Sequence, residues 1–191
     1  MRVDTKRGAP AVVLVELPRD AAGFVRRECP RCQRDFKTRP CRHDASILQR
    51  RLASLFPFEN AHESFDDVPD WWCLYCGHRA AGDEWLTPAQ QAHVEDVARS
   101  WANHVRYEQL AHVSRTLALN PRPTFVSLPP VALPGPMSQD PDDLRPLPLV
   151  CCGEDVKVQG DWEGPVYCPR CGTLHGEPSG EWPAPVDFMP E

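Results

Sequence analysis

Eight of the nine cysteines in this chain fall into two four-member sets, and few folds can satisfy both. The first set is Cys29-Pro30-Arg31-Cys32 with Cys73-Leu74-Tyr75-Cys76. The second is Cys151-Cys152 with Cys168-Pro169-Arg170-Cys171. Thiolates at C-x-x-C spacing grip one tetrahedral ion from a single tight turn, and two such turns complete its shell. Four sulfurs leave no coordination position for a substrate, so the expected role of the metal is structural.

The alternative use of these cysteines, as disulfides, fits the chain poorly. Nine is an odd number, and C-x-x-C followed by glycine is a metal pattern. The start is basic (Arg2, Lys6, Arg7), and its apolar stretch Ala11 to Leu17 is short and ends at Pro18-Arg19-Asp20. No secretory signal is expected from such a start, so a reducing, cytoplasmic setting is expected, where thiolates persist and bind zinc. Two Zn2+ per chain are expected.

Net charge is −6, unevenly spread: residues 1–55 carry 13 Lys+Arg against 6 Asp+Glu, and residues 56–191 carry 8 against 21. The basic residues crowd the first cysteine turn at Arg26, Arg27, Arg31, Arg34, Lys37, Arg39 and Arg42. A basic hairpin 24–42 is one signature of a nucleic-acid face, for which Arg26, Arg27, Arg31, Arg34, Lys37 and Arg39 are the candidates. The competing reading docks this ribbon on the chain's own acidic part, such as Glu59 to Asp70. Whole-chain acidity, which opposes phosphate binding, favours the second.

Residues 11–17 are β-branched and apolar and read as a buried strand. Phe24 to Glu28 delivers Cys29, and Arg34 to Thr38 reads as the return strand. Asp44 is placed to cap a helix from Ala45 to about Phe56. Thr87-Pro88-Ala89-Gln90 starts a second helix: threonine caps, proline takes the first helical position and glutamine closes a capping box. This helix is expected to run to about Leu119 or to break near Glu108. One of its stripes holds Val94, Val97, Ala98, Trp101 and Val105, and another Leu110, Val113 and Leu117. Nine of the thirty residues 119–148 are proline, the composition of an extended linker, within which Thr124 to Leu128 could form a short strand or an anchoring segment. The expected fold class is α+β: two small zinc ribbons with short antiparallel strands, one long helix and a proline-rich linker. The expected units are 1–118 (ribbon, helical insert, long helix), 119–148 (linker), 149–176 (second ribbon) and 177–191 (tail, with Trp182 as an anchor).

Both cysteine units resemble rubredoxin-like zinc ribbons. Tyr167-Cys168-Pro169-Arg170-Cys171-Gly172 matches the knuckle pattern closely, and Cys73 to Gly77 keeps its glycine. Cys29 to Cys32 matches except that Gln33 stands where glycine is usual. In these knuckles glycine lets backbone amides turn toward the sulfurs. The arrangement is also similar to bacterial zinc-ribbon proteins without an assigned activity. The resemblance covers about half of the chain and specifies fold far better than function.

The second unit departs from the pattern because Cys151 and Cys152 are adjacent. Successive side chains on an extended strand point to opposite faces, so both ligate only if the backbone kinks at Gly153. Otherwise His175 takes the fourth position in place of Cys151 or Cys152. Cys41 is left over, and with no catalytic partners around it reads as a surface or half-buried thiol. Trp71, Trp72 and Trp85 read as packing over the small ribbon core. No phosphate loop, catalytic triad or strand-end carboxylate pair is present. The expected function is therefore a non-enzymatic adaptor or assembly module with a protein partner. The alternative is nucleic-acid binding through hairpin 24–42. No membrane association and no small-molecule substrate are expected.

Overall fold

Strict alternation builds the first strand. In β1 (Val25–Glu28) Val25 and Arg27 are buried, while Arg26 and Glu28 are partly exposed, the period of two that a strand imposes. Its antiparallel partner is β2 (Asp35–Thr38), in register Arg26 with Lys37 and Arg27 with Phe36. The structure, a computed structural model, describes residues 15–55, 69–117 and 134–176.

The chain then forms α1 (Asp44–Leu55), β3 (Trp71–Trp72) and β4 (Arg79–Ala80). A 3-10 turn at Gly82–Trp85 leads into α2 (Pro88–Leu117). After it come β5 (Arg145–Leu149), β6 (Glu154–Val158), β7 (Val166–Tyr167) and β8 (Leu174–His175). The class is α+β, as expected. β3–β4 and β7–β8 are small separate hairpins, whereas the other strands join in one four-stranded sheet of order β1-β2-β6-β5. The junction is β2 against β6, Lys37 opposite Lys157 and Thr38 opposite Val156. β5 lies within and just beyond the proline-rich segment. An edge strand is where Pro146 and Pro148, which have no N–H to give, cost the sheet no ladder bonds.

Two sequence expectations are corrected. Of the expected strand 11–17, residues 11–14 lie outside the described residues and 15–17 form no strand, although Leu17 is buried beside Val25, Leu48 and Val94. Asp44 does not cap a helix starting at Ala45; it is the first residue of α1. Its carboxylate accepts from the Cys41 amide at 3.0 Å and pairs with Arg27 at 2.5 Å. Arg27 is fully buried, and a buried cation needs a counter-charge more than a helix end needs a cap. The Thr124–Leu128 segment, the tail and Trp182 lie outside the described residues.

The second helix starts as read. Thr87 N donates to Gln90 Oε1 at 3.0 Å and Gln90 N to Thr87 Oγ1 at 3.2 Å, a reciprocal capping box. Gln90 Nε2 also donates to the Arg26 carbonyl, which ties the helix start to β1. α2 is continuous through Glu108. Val94, Val97 and Ala98 are buried, whereas Leu110 and Val113 are exposed. The larger core centres on Phe36, whose ring meets Trp85 and Tyr75 edge-on at 5.8 and 6.5 Å. Among the described residues no helix is long and apolar enough to cross a membrane.

An ionic cluster sits across the β2–β6 junction. Asp20 Oδ2 accepts from Lys157 Nζ at 2.7 Å and Lys37 Nζ at 3.3 Å, and its Oδ1 from the amides of Ala22 and Phe24. Lys37 also pairs with Asp140 at 2.6 Å and Asp143 at 3.4 Å, and Lys157 with Asp142. The two lysines and Asp20 are buried, so each charge depends on the others for its solvation. The cluster fastens segments 15–24 and 140–143 to the sheet. Burial alone would raise Asp20, but the hydrogen bonds from Lys157, the Phe24 amide and Lys37 outweigh it and hold the carboxyl at about 2. A carboxyl lowered in the folded state contributes stability that is full above its unfolded pKa of about 3.9. That contribution is lost as the pH falls toward 2. Asp20→Asn is therefore expected to cost about 3–5 kcal/mol at neutral pH and to flatten the stability–pH curve between pH 4 and 2. Denaturant unfolding at a series of pH values checks both.

Candidate metal centres

Each set of cysteines converges. The sulfurs of Cys29, Cys32, Cys73 and Cys76 all lie within 4.8 Å of one another, and so do those of Cys151, Cys152, Cys168 and Cys171. In the first set the knuckle between β1 and β2 supplies Cys29 and Cys32, and the knuckle between β3 and β4 supplies Cys73 and Cys76. Cys29 Sγ is 3.7 Å from Cys76 Sγ, and Cys32 Sγ is 3.6 Å from Cys73 Sγ. A tetrahedral ion with metal–sulfur bonds of about 2.3 Å needs edges of about 3.8 Å, so the spacing fits. Backbone amides aim at the sulfurs: Cys32 N at Cys29 Sγ and Tyr75 N at Cys73 Sγ, each at 3.4 Å. As thiols alone the four groups compete for protons. The hydrogen bond with Cys32 lowers Cys29 to about 7, while the one with Cys29 pushes Cys73 far up. A bound cation ends this competition, because it lets all four ionise together.

The second set is built from the turn between β5 and β6 and the knuckle between β7 and β8. Both Cys151 and Cys152 reach the group, with Gly153 at φ +62° making the kink that two adjacent ligands require. Cys151 Sγ and Cys171 Sγ are 3.6 Å apart. His175 stands at the edge of the group, its Nε2 3.0 Å from Cys151 Sγ. Chiefly through the Thr173 hydroxyl, 3.1 Å from its sulfur, Cys171 is lowered to about 6. The hydrogen bond with Cys171 pushes Cys152 up to about 12. Both sets can thus hold a metal ion.

The two C-terminal knuckles seat each other. Trp72 N donates to the Pro169 carbonyl at 3.0 Å, and Tyr167 N donates to the Leu74 carbonyl at 2.9 Å. Each donor is the residue before the knuckle's first cysteine, and each acceptor is the residue after it. The glycines repeat the exchange. A Cβ on Gly77 would lie 2.9 Å from the Tyr167 ring, and one on Gly172 would lie 2.7 Å from the Trp72 ring. Such reciprocity belongs to two copies about a two-fold axis, here achieved within one chain. Its sequence signal is the repeated pattern aromatic-Cys-x-x-Cys-Gly at Trp72 and Tyr167. Tyr75 adds a link: its hydroxyl donates to the Asp35 carbonyl at 2.7 Å and accepts from Gln159 N at 3.0 Å.

The basic hairpin turns part of its charge inward: Arg26, Arg27 and Lys37 are buried or half-buried, whereas Arg31, Arg34, Arg39 and Arg42 are exposed. Arg26 pairs with Asp35 and Asp140 at 3.0 Å and with Asp143 at 2.5 Å, Arg27 with Asp44, and Lys37 with Asp20 and Asp140. Arg39 donates to the Ala22 carbonyl and lies over the Phe24 ring, while Arg34 lies over the Trp162 ring at 4.6 Å. Arg31 remains exposed at the knuckle tip. Among the described residues the acidic partners of Arg26, Arg27 and Lys37 are Asp20, Asp35, Asp44, Asp140 and Asp143. Asp70 pairs with Arg79, and residues 59–68 lie outside the described residues. Cys41 is half-buried, and burial pushes its thiol up, the opposite of what a nucleophile needs. Trp71 and Trp85 are buried in the core, and Trp72 is spent on Gly172.

Comparison with protein-family models, with curated proteins and with solved structures finds no match to this chain. The likeness to zinc ribbons therefore rests on the knuckle motifs and on the convergence of the sulfurs.

Gln33 has φ +56°, at the turn position where Gly153 has +62°. A left-handed conformation costs a side chain about 1–2 kcal/mol, so Gln33→Gly is expected to stabilise the fold by up to about 1 kcal/mol. Gly172→Ala meets both the positive φ and the Trp72 ring and is expected to destabilise by at least about 1–2 kcal/mol. Paired thermal melts of the two variants check the opposite signs.

Proposed function

We propose that this protein is a non-enzymatic adaptor in which two structural Zn2+ ions hold a pair of back-to-back ribbons that a partner protein recognises. All-sulfur, four-coordinate sets favour zinc among the common ions, and closed shells hold it for structure rather than reaction. The observation that carries the reading is the reciprocal seating of the two knuckles, which joins two closed shells into one rigid scaffold. Rigidity matters to an adaptor because a preformed surface loses little entropy on binding.

The face around the second centre suits a partner best. Val150 is 88 % exposed and Leu174 44 % exposed, two large apolar side chains beside the exposed cysteines. A groove of about 560 Å³ runs past Phe24, Pro146 and Pro148, but its charges are already engaged, Arg39 with Asp155 and Lys157 with Asp142. That favours surface recognition over substrate capture. Nucleic-acid binding through hairpin 24–42 remains the second reading only for Arg31 and Arg34, since Arg26, Arg27 and Lys37 have acidic partners.

The test compares wild type with a Val150→Asp/Leu174→Asp variant in quantitative affinity capture, with metal content matched. The expected result is a stoichiometric protein partner that the variant no longer retains. Equal capture by both proteins refutes this face. Saturable, salt-dependent binding of RNA or DNA that is lost on Arg31→Glu/Arg34→Glu replaces the adaptor reading with the second one.

A further inference from the structure

The two hairpins of the large sheet have matching turns, and the match exposes a displaced ligand. Glu28 pairs with Asp35 and Pro148 with Asp155. Residues 29–34 therefore correspond to residues 149–154. The fifth residue of each turn is left-handed, Gln33 in one and Gly153 in the other. On this register Cys152 takes the place of Cys32, and Leu149 takes the place of Cys29. Burial agrees: Cys29 is 0 % exposed and Leu149 2 %, and both belong to the same core cluster. Cys151 corresponds to Arg31, the exposed tip of the turn. The second shell thus lacks the ligand on the protected strand and takes its fourth sulfur from the side facing solvent.

The consequence is a difference in access. Cys151, Cys152 and Cys171 are exposed and only Cys168 is buried, whereas Cys29 and Cys73 are buried and Cys32 and Cys76 half-buried. Thiolate oxidation follows exposure. Cys151 Sγ and Cys171 Sγ are 3.6 Å apart, and His175 Nε2 lies 3.0 Å from Cys151 Sγ as a donor in reserve.

We propose that the second centre is an oxidant-responsive site at which hydrogen peroxide joins Cys151 to Cys171 and releases the metal, while the first centre stays loaded. The inference rests on the zinc reading above. Two thiolates lose two electrons as the S–S bond forms. The O–O bond of peroxide breaks, and with two protons from solvent it leaves as two waters. The ion is left with at most Cys152, Cys168 and His175, a donor set with two fewer negative charges, and dissociates. Cys171 adjoins Gly172, the seat of Trp72, so the disulfide also loosens the contact between the two ribbons. A thiol reductant reverses the step.

The test uses the full chain and counts metal first. Native mass spectrometry is expected to find two zinc ions; fewer would refute the zinc reading itself. Peroxide is then added with a colorimetric zinc chelator. Because access differs, one equivalent of zinc is expected to leave about tenfold faster or more than the other, with peptide mapping placing the disulfide at Cys151–Cys171. Leu149→Cys/Cys151→Ser returns the ligand to the protected strand and is expected to slow the fast release by about tenfold or more. Simultaneous loss of both ions, a disulfide elsewhere, or undiminished release from the double variant overturns the proposal and leaves the zinc reading standing. If the double variant does not fold, Cys151→Ser alone decides. The part of the release that depends on peroxide, measured against a peroxide-free control, is expected to vanish with the disulfide, and its persistence overturns the proposal.

Discussion

Four sulfurs within 4.8 Å of one another cannot all carry charge unless a cation sits among them, and this chain imposes that condition twice. Like charges at such distances repel strongly in a partly buried setting. The strands that deliver the cysteines are only two to five residues long, too short to form stable sheets alone. On the proposed reading, metal coordination is the interaction that makes them sufficient. The knuckle hairpins deliver the sulfurs, and Tyr75 and the Asp20 cluster tie the delivering strands together.

The two cysteine units share a sheet junction and a knuckle-to-knuckle contact. β2 and β6 share a sheet junction, and the knuckles exchange a tryptophan and a tyrosine across opposing glycines. The described end of the proline-rich segment leads into β5, and Asp140, Asp142 and Asp143 before it pair with cations of the first hairpin and of β6. Among the described residues, the buried and half-buried cations of the first hairpin are paired within the molecule.

The cysteine sets, the first hairpin, the capping box at Thr87 and the buried stripe of α2 were legible in the sequence because each rests on local spacing. The kink at Gly153 and the proximity of His175 to Cys151 were legible as alternatives, since adjacent cysteines force a choice. What could not be read was long-range. Nothing local tells that Asp44 answers Arg27 instead of capping a helix, or that Lys157 meets Asp20 across the sheet junction. Leu149 in the place of Cys29 also became visible only once strand register aligned the two turns. The repeated aromatic before each C-terminal knuckle was a signal in plain sight, but its meaning depends on the two knuckles facing each other.

The most direct measurement is thermal unfolding followed by circular dichroism as the metal is removed stepwise with a strong chelator, with zinc counted at each step. Structural zinc in small domains is worth about 10–16 kcal/mol of apparent folding free energy. The expected result is loss of the cooperative transition as the first centre empties, with strand and helix signal falling together. An unchanged melt after verified removal of both ions would contradict the account.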